Sequence, residues 1–111
     1  MYQLISEKAI YQYFGDDDHD MIREMIEIIL NTNIKDLKEL ETFYGVSDFA
    51  TIKKRCHKAK PSMSYVGALR VRKTLEEIEE KLESSHSLNS LLQNQLGILE
   101  TELNDFLSKL N

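Results

Sequence analysis

Apolar residues recur at intervals of three and four along nearly the whole chain, and this spacing is what most restricts the fold. A period near 3.6 places such residues on one face of an α-helix, whereas a half-buried strand would alternate apolar and polar residues. Only one proline and four glycines interrupt the 111 residues. The longest stripe consists of Leu88, Leu91, Leu92, Leu96, Leu99, Leu103, Phe106, Leu107 and Leu110. The sequence therefore predicts an all-α protein.

Turn and capping residues divide the chain into five predicted helices. They cover approximately residues 4–13, 16–45, 49–66, 68–82 and 88–110. The three aspartates at 16–18 supply caps for the second helix, and Gly45 is expected to end it in a left-handed conformation. Ser47 or Asp48 is expected to cap the third helix, and Gly67 to separate the third from the fourth.

The helical stripes give each long helix one apolar face. Those of the second and fourth helices are expected to include Met21, Met25, Ile28, Ile29, Leu69, Leu75 and Ile78. Four long amphipathic helices joined by short turns pack most simply as an antiparallel up-and-down four-helix bundle, with the short N-terminal helix added to it. We expect a monomer, because one chain supplies enough helices to bury these faces.

Length and composition favour one soluble domain over residues 1–111. An apolar content of 41% is typical of a globular protein. The single cysteine, Cys56, excludes an internal disulfide and is typical of a reducing compartment. The first residues lack the pattern of a signal peptide, and the longest aliphatic run, residues 28–30, is too short to span a bilayer. These features predict a cytoplasmic protein without membrane contact.

Positive charge is concentrated in one window of this acidic chain. Residues 53–73 contain eight Lys or Arg and no Asp or Glu, although the net charge is −5. An acidic chain is not expected to bind nucleic acid in general, and this window is where that argument is weakest. His57 lies inside the window. A titratable ring among fixed positive charges suits the handling of a phosphoryl group or another anion.

The face on which His57 lies follows from helix geometry, at about 100° per residue. The apolar residues of the third helix form one arc: Phe49, Ile52, Cys56, Ala59, Met63 and Val66. His57 lies about 130° from the centre of that arc, so its ring is expected in solvent and Cys56 in the core. Within about 60° of His57 lie Ala50, Lys53, Lys60, Pro61 and Ser64.

The neighbours of His57 limit its chemistry. No second His, Asp or Glu lies one helical turn away, so no metal site is predicted. No carboxylate lies nearby in sequence to complete a nucleophilic triad, and the acidic run at residues 76–80 is expected to be a solvated helix face. A histidine that accepts a phosphoryl group needs only an exposed ring nitrogen, a nearby cation and open access. Lys60 can supply that cation.

The segment around His57 resembles a known family. His57-Lys58-Ala59-Lys60-Pro61-Ser62 is similar to the signature H-x-x-K-G, followed by serine or alanine, of the histidine-containing phosphotransfer (HPt) domain. Further resemblance lies in the helix entry at residues 14–25, the turn at 45–49 and the Val66-Gly67-Ala68 break. The likeness covers residues 14–83, whereas the last helix matches only in kind.

The resemblance implies a four-helix bundle that relays phosphate between receiver domains of a His-Asp phosphorelay, without an ATP site or catalytic activity of its own. His57 would be the phosphoacceptor through Nε2, and Lys60 would stabilise the phosphoryl oxygens. The partners would be receiver domains of response regulators or of a hybrid sensor histidine kinase. The receiver would bring the aspartyl phosphate and Mg²⁺, so the chain itself would need no cofactor and no metal.

The surface around His57 is the expected partner-binding face. It comprises Lys53, Lys54, Lys58, Pro61 and Ser64, and its lysines suit docking onto the acidic rim of a receiver's active site. Pro61 departs from the family, which usually has glycine there. Because proline has no N–H to donate to the carbonyl of His57, a local bend or loosened turn is predicted.

Two other classes of function fit parts of the sequence. A dimerising histidine-kinase module would have a histidine on a helix, but Lys58 stands where such kinases usually have an acid. A non-catalytic helical interaction bundle would use the basic face to bind an acidic partner. The interaction bundle differs from a phosphocarrier in that it does not require a covalently modified His57, and the kinase module is disfavoured further because no ATP-binding domain is evident.

Overall fold

The computed structural model describes residues 2–110, in which all regular secondary structure is helical. The α-helices are α1 (Glu7–Phe14), α2 (His19–Ile29), α3 (Lys35–Lys38), α4 (Leu40–Gly45), α5 (Phe49–Tyr65), α6 (Leu69–Lys81) and α7 (His86–Lys109). A π-helical segment, Leu30–Ile34, joins α2 to α3, and a 3₁₀ turn, Leu82–Ser84, precedes α7. The prediction of an all-α protein is confirmed.

The helix starts follow the capping residues. Asp18 accepts the N–H of Met21 at 3.0 Å, and Asp48 accepts the N–H of Thr51 at 3.1 Å. These side chains satisfy backbone donors that have no partner within the helix. Of the two caps considered for α5, Asp48 is therefore the one used.

The left-handed residue after α4 is Ser47, with φ 54°, so its predicted placement at Gly45 is wrong. Gly45 is the last residue of α4. The N–H of Ser47 bonds to the carbonyl of Tyr44, and the N–H of Asp48 bonds to the carbonyl of Phe43. This pair of bonds forms a Schellman motif, which requires a left-handed residue after the end of the helix. Here that residue is Ser47, two positions beyond Gly45.

The predicted second helix is interrupted. Its buried residues are Ile22, Ile26, Ile29, Ile34, Leu37, Leu40 and Tyr44. The step from Ile29 to Ile34 spans five positions, and the π-helical segment accommodates it because its backbone bonds close wider turns. Met21 and Ile28, which were expected in the core, are each 46% exposed.

The core is continuous across the helices. In α7, the buried apolar side chains are Leu92, Leu96, Leu99, Leu103 and Phe106, whereas Leu91 is largely exposed. In α6, Val71, Leu75 and Ile78 are buried. Leu69, which was expected on this stripe, is 64% exposed. Within residues 2–110, no helix combines the length and the apolar character that a membrane crossing requires.

Residues 2–6 form a non-helical strap, since α1 begins at Glu7 and not near residue 4. The carboxylate of Glu102 accepts the backbone N–H groups of Gln3, Leu4 and Ile5 at 2.6 to 3.1 Å. Those bonds replace helical ones and hold Leu4 and Ile5 in the core. The spacing of apolar residues did not predict these long-range hydrogen bonds to Glu102 of α7.

The strap also contacts the turn between α5 and α6. The N–H of Ser6 donates to the carbonyl of Val66 at 2.9 Å. Gly67 has φ +74°, and a Cβ at this position would lie 2.5 Å from the Cβ of Ser6. Glycine is therefore required at residue 67 for two independent reasons, its backbone conformation and the close approach of the strap.

We expect Gly67→Ala to lower the free energy of unfolding by about 2–4 kcal/mol, because alanine adds left-handed strain and overpacking. The matched control is Gly97→Ala in α7, where an added Cβ has no neighbour within 4 Å. The control should gain about 0.5–1 kcal/mol from helix propensity. Urea denaturation measures both, and a Gly67→Ala chain as stable as the parent would contradict the packing described.

Candidate functional site

The site is built on the outer face of α5. The core side of this helix is fully buried, with Ile52, Cys56, Ala59 and Met63 at 0% exposure. His57 points the other way, and its side chain is 75% exposed. The prediction that His57 faces solvent and Cys56 faces the core is confirmed.

A carboxylate from α6 lies between His57 and Lys60. Glu79 Oε2 is 3.5 Å from His57 Nδ1, and Glu79 Oε1 is 3.0 Å from Lys60 Nζ. The Glu79 and Lys60 side chains are only 13% and 18% exposed. The expectation that residues 76–80 form a wholly solvated face is therefore wrong at Glu79, which sequence reasoning did not place at the site.

The hairpin of α5 and α6 sets this geometry. Gly67 reverses the chain, and Arg72 of α6 then donates to the hydroxyl of Ser64 on α5. One to two helical turns further along the same contact between α5 and α6, Glu79 lies next to Lys60 and His57. A carboxylate far away in sequence is thus brought beside the ring by packing of two antiparallel neighbours, which no local motif encodes.

The Glu79 carboxylate retains unused acceptor capacity. Its Oε1 is buried and pairs with Lys60 by charge at 3.0 Å, yet it accepts no hydrogen bond of regular geometry. Buried acceptors without a hydrogen bond are uncommon and often occur at functional sites. Since Oε2 faces Nδ1 of His57, the carboxylate favours the tautomer with its proton on Nδ1. That tautomer leaves the lone pair on Nε2.

Cys56 does not join this chemistry. The thiol is buried, and burial, reinforced by the negative charge of Glu79 and opposed by Lys60, raises its pKa to about 12. A thiol with that pKa stays protonated near neutral pH and is a poor nucleophile. Its role is packing, as the sequence predicts.

The basic window divides into engaged and exposed residues. Arg55 donates to the carbonyl of Asp36 at 2.8 Å and to Glu39 Oε1 at 3.0 Å. Its guanidinium also lies 4.5 Å from the centre of the Phe43 ring. Lys60 and Arg72 are likewise tied to α5–α6 contacts. Arg55, Lys60 and Arg72 therefore make contacts that stabilise the fold.

The predicted partner-binding residues do not all have the same surroundings. Lys53, Lys54, Lys58 and Pro61 are exposed on α5. Ser64 is half-buried, and its hydroxyl accepts a bond from Arg72. Of the five predicted residues, Ser64 is therefore the least accessible.

Pro61 lies inside α5, which continues to Tyr65. The missing N–H leaves the carbonyl of His57 without its usual helical donor, but the helix does not end there. The local bend stays a prediction.

A shallow hollow lies beside His57. It is an open surface on α5 alone, formed by Ala50, Lys53, Lys54 and His57. We call it the α5 hollow. It opens directly to solvent, and most of its lining is apolar.

The remaining histidines have other surroundings. The His86 ring stacks on Tyr44 at 4.7 Å, and its Nε2 is 2.7 Å from Glu41 Oε2. His19 is the first residue of α2. Among residues 2–110, no group of three or more His, Cys, Asp or Glu side chains is placed to hold a metal ion.

Comparison of the chain with protein-family models, with curated proteins and with solved structures gave no match. The functional argument therefore depends on the residues of the site and their geometry.

Proposed function

We propose that this chain is a histidine-containing phosphotransfer domain, which carries a phosphoryl group on His57 between receiver-domain aspartates of a His-Asp phosphorelay. One observation carries the proposal: an exposed imidazole has its Nδ1 beside the Glu79 carboxylate, with Lys60 on the same carboxylate. The similarity of residues 57–62 to the HPt signature gives the same assignment from the sequence.

The reaction assigned to His57 is an in-line phosphoryl exchange. The Nε2 lone pair forms the N–P bond while the P–O bond to the receiver's aspartate breaks, and the aspartate leaves as a carboxylate. The proton stays on Nδ1, so the phosphorylated ring carries a positive charge. Glu79 stabilises that charge, and its position also keeps the ring from turning Nδ1 outward.

Lys60 has a second task in this exchange. Its ammonium lies one helical turn from His57 and can reach the equatorial oxygens of the phosphoryl group, where negative charge is spread during transfer. Before transfer, the same ammonium neutralises Glu79. We infer that Lys60 divides its charge between Glu79 and the phosphoryl group once the latter is bound.

The proposed partners are receiver domains of response regulators or of a hybrid sensor kinase. The exposed Lys53, Lys54 and Lys58 surround the acceptor and complement the carboxylates of a receiver's active site. The receiver supplies Mg²⁺ and the aspartyl phosphate. The chain needs no nucleotide site, cofactor or metal of its own for this task.

The architecture that fits this role is an antiparallel up-and-down four-helix bundle. Its four arms are α2 to α4 taken together, α5, α6 and α7, and α1 is added at one end. Short connections and cross-arm contacts support it, among them Lys38 Nζ to Glu100 Oε2 at 2.7 Å. Because the arms bury their stripes within one chain, we propose that the domain acts as a monomer in the cytoplasm.

A second candidate is a non-catalytic interaction bundle. The exposed lysines beside the α5 hollow favour it, because they would attract any acidic partner whether or not His57 reacts. The near-buried Glu79–Lys60 pair at the histidine is not needed for such a role, which is why we prefer the phosphocarrier.

The test is transfer of labelled phosphate from a panel of phosphorylated receiver domains in the presence of Mg²⁺. The proposal predicts that at least one receiver transfers label, and that the label is lost in acid and kept in base, as a phosphohistidine is. If the folded chain takes label from no receiver, or carries it as an acid-stable ester, the interaction bundle becomes the better account.

A further inference from the structure

A side-chain hydrogen bond joins the π-helical segment to the part of α5 that contains Pro61. The hydroxyl of Ser62, the residue after Pro61, donates to Asn33 Oδ1 at 2.7 Å. Both residues of this pair are half-buried. The bond therefore connects two places at which regular α-helical hydrogen bonding is interrupted, by a wider turn in one segment and by a proline in the other.

The π-helical turn determines where Asn33 lies. Ile29 and Ile34 are both buried, although five positions separate them. In an uninterrupted α-helix, the residue that shares the face of Ile29 lies four positions later, and that residue is Asn33. The wider turn gives the core position to Ile34 instead and leaves Asn33 half-buried beside it, within reach of α5. The extra residue of this turn thus makes the bond to Ser62 possible.

The bond lies next to the turn of α5 that carries the proposed phosphoacceptor. Because Pro61 has no N–H for the carbonyl of His57, the turn from His57 to Pro61 lacks one backbone hydrogen bond. Lys60 belongs to the same turn. Ser62 is five residues after His57, about 7.5 Å along the helix axis. A link from Ser62 to Asn33 therefore restrains the backbone directly after the weakened turn.

We propose that Asn33 is a positioning residue for phosphotransfer. Through Ser62 it holds the turn of α5 that Pro61 weakens, and so keeps His57 and Lys60 aligned with the incoming phosphoryl group. This inference rests on the proposed function. Alignment matters because a displacement of about 1 Å can slow such a reaction by as much as 100-fold. Asn33 acts through the backbone of α5 and not through contact with the reacting atoms.

Removing either end of the bond should cause the same defect. We expect Asn33→Ala and Ser62→Ala each to slow single-turnover transfer from a saturating phosphorylated receiver, with Mg²⁺, about tenfold. The receiver concentration that gives half the maximal rate should not change, because the exposed lysines proposed to contact the receiver are still present. The combined variant should be no slower than either single one, since both remove one interaction.

The matched control is Asn31→Ala. It is the same substitution in the same π-helical segment, at an exposed position. It should leave both the maximal rate and the half-saturating receiver concentration at the parent values. Circular dichroism and urea denaturation confirm that each variant is folded under the conditions of the transfer measurement.

Pro61→Ala provides a test that a merely structural bond would not pass. This substitution restores the N–H that the carbonyl of His57 lacks, so the turn no longer depends on the link to Asn33. Whatever the transfer rate of Pro61→Ala itself, adding Asn33→Ala to it should slow transfer less than about twofold. A bond that only stabilises the fold would give the same loss with and without Pro61→Ala.

The results distinguish this inference from the proposed function. If Asn33→Ala transfers at the parent rate, or slows transfer equally with and without Pro61→Ala, the positioning role is wrong while the phosphocarrier stands. If Asn31→Ala slows transfer as much as Asn33→Ala does, the specific link to Ser62 is also wrong. If no receiver labels His57 of the folded parent chain, the phosphocarrier itself is wrong and the positioning role falls with it.

Discussion

Replacing His57 by glutamine abolishes transfer of phosphate to the chain and leaves its melting temperature within about 3 °C of the parent. Glutamine has no nucleophilic ring nitrogen, so no N–P bond can form. The fold should be unaffected because the His57 side chain is 75% exposed. Its contact with Glu79 is also weak, since the two atoms are 3.5 Å apart. Transfer from a phosphorylated receiver and thermal unfolding by circular dichroism measure the two effects.

His86→Gln is the matched control. His86 is also a histidine on a helix, but it stacks on Tyr44 and pairs with Glu41. This variant should keep full transfer and lose only a little stability with those contacts. Label that persists in His57→Gln would contradict the assignment of the acceptor, and a fall in melting temperature of more than about 10 °C would contradict its exposed position.

Replacing Lys60 by alanine slows phosphotransfer about 100-fold, because one preorganised charge next to developing negative charge has effects of that size. Receiver affinity should change little, since Lys60 is only 18% exposed and contributes little contact surface. The variant also leaves Glu79 with less neutralisation in a mostly buried position, which should cost about 1–3 kcal/mol of stability. Single-turnover transfer rates and urea denaturation separate the two effects.

A double variant distinguishes charge stabilisation from simple loss of structure. Adding Glu79→Gln to Lys60→Ala removes the uncompensated carboxylate, so most of the stability should return while transfer stays slow. Lys58→Ala is the control for charge on α5, because Lys58 is exposed, whereas Lys60 pairs with Glu79. It should lower only the association rate, by a few-fold. A Lys60→Ala chain that transfers at the parent rate would show that Lys60 has no part in the chemistry.

Periodicity predicted most of the helices and the orientation of α5. The arc of Ile52, Cys56, Ala59 and Met63 is narrow and lies within one uninterrupted helix, so the direction of His57 followed from geometry alone. Asp48 and Gly67 marked the two ends of the same helix by their capping chemistry. A feature that depends on one local rule, such as the orientation or the ends of α5, could therefore be predicted from the sequence.

The errors in α2 fell where two apolar patterns overlapped. In α2, Met21 and Ile28 compete with Ile22, Ile26 and Ile29 for the same helix, and either set has helical spacing. The five-residue step from Ile29 to Ile34 was the available signal, since it fits the inner set only if the helix widens there. Core packing buried Ile22, Ile26 and Ile29 and left Met21 and Ile28 at the surface.

Long-range partners could not be predicted from the sequence. Glu102 captures the backbone of residues 3–5, and Glu79 reaches His57 and Lys60 from the next helix. In each case, a carboxylate is drawn inward by groups distant in the chain, and Glu79 had been assigned, with residues 76–80, to a solvated face. Spacing singled out His57 and Lys60 as the proposed acceptor and its cation, whereas Glu79, the carboxylate beside the ring, required the packed structure.

The central claim is that His57 accepts phosphate through Nε2 while Glu79 holds the proton on Nδ1. The most direct measurement is a long-range ¹H–¹⁵N spectrum of the imidazole rings of ¹⁵N-labelled chain, before and after transfer from a phosphorylated receiver with Mg²⁺. We predict that only the His57 ring changes, with phosphate on Nε2 and the proton kept on Nδ1. Phosphate on Nδ1, on His19 or on His86, or an unchanged His57 ring, would contradict the account.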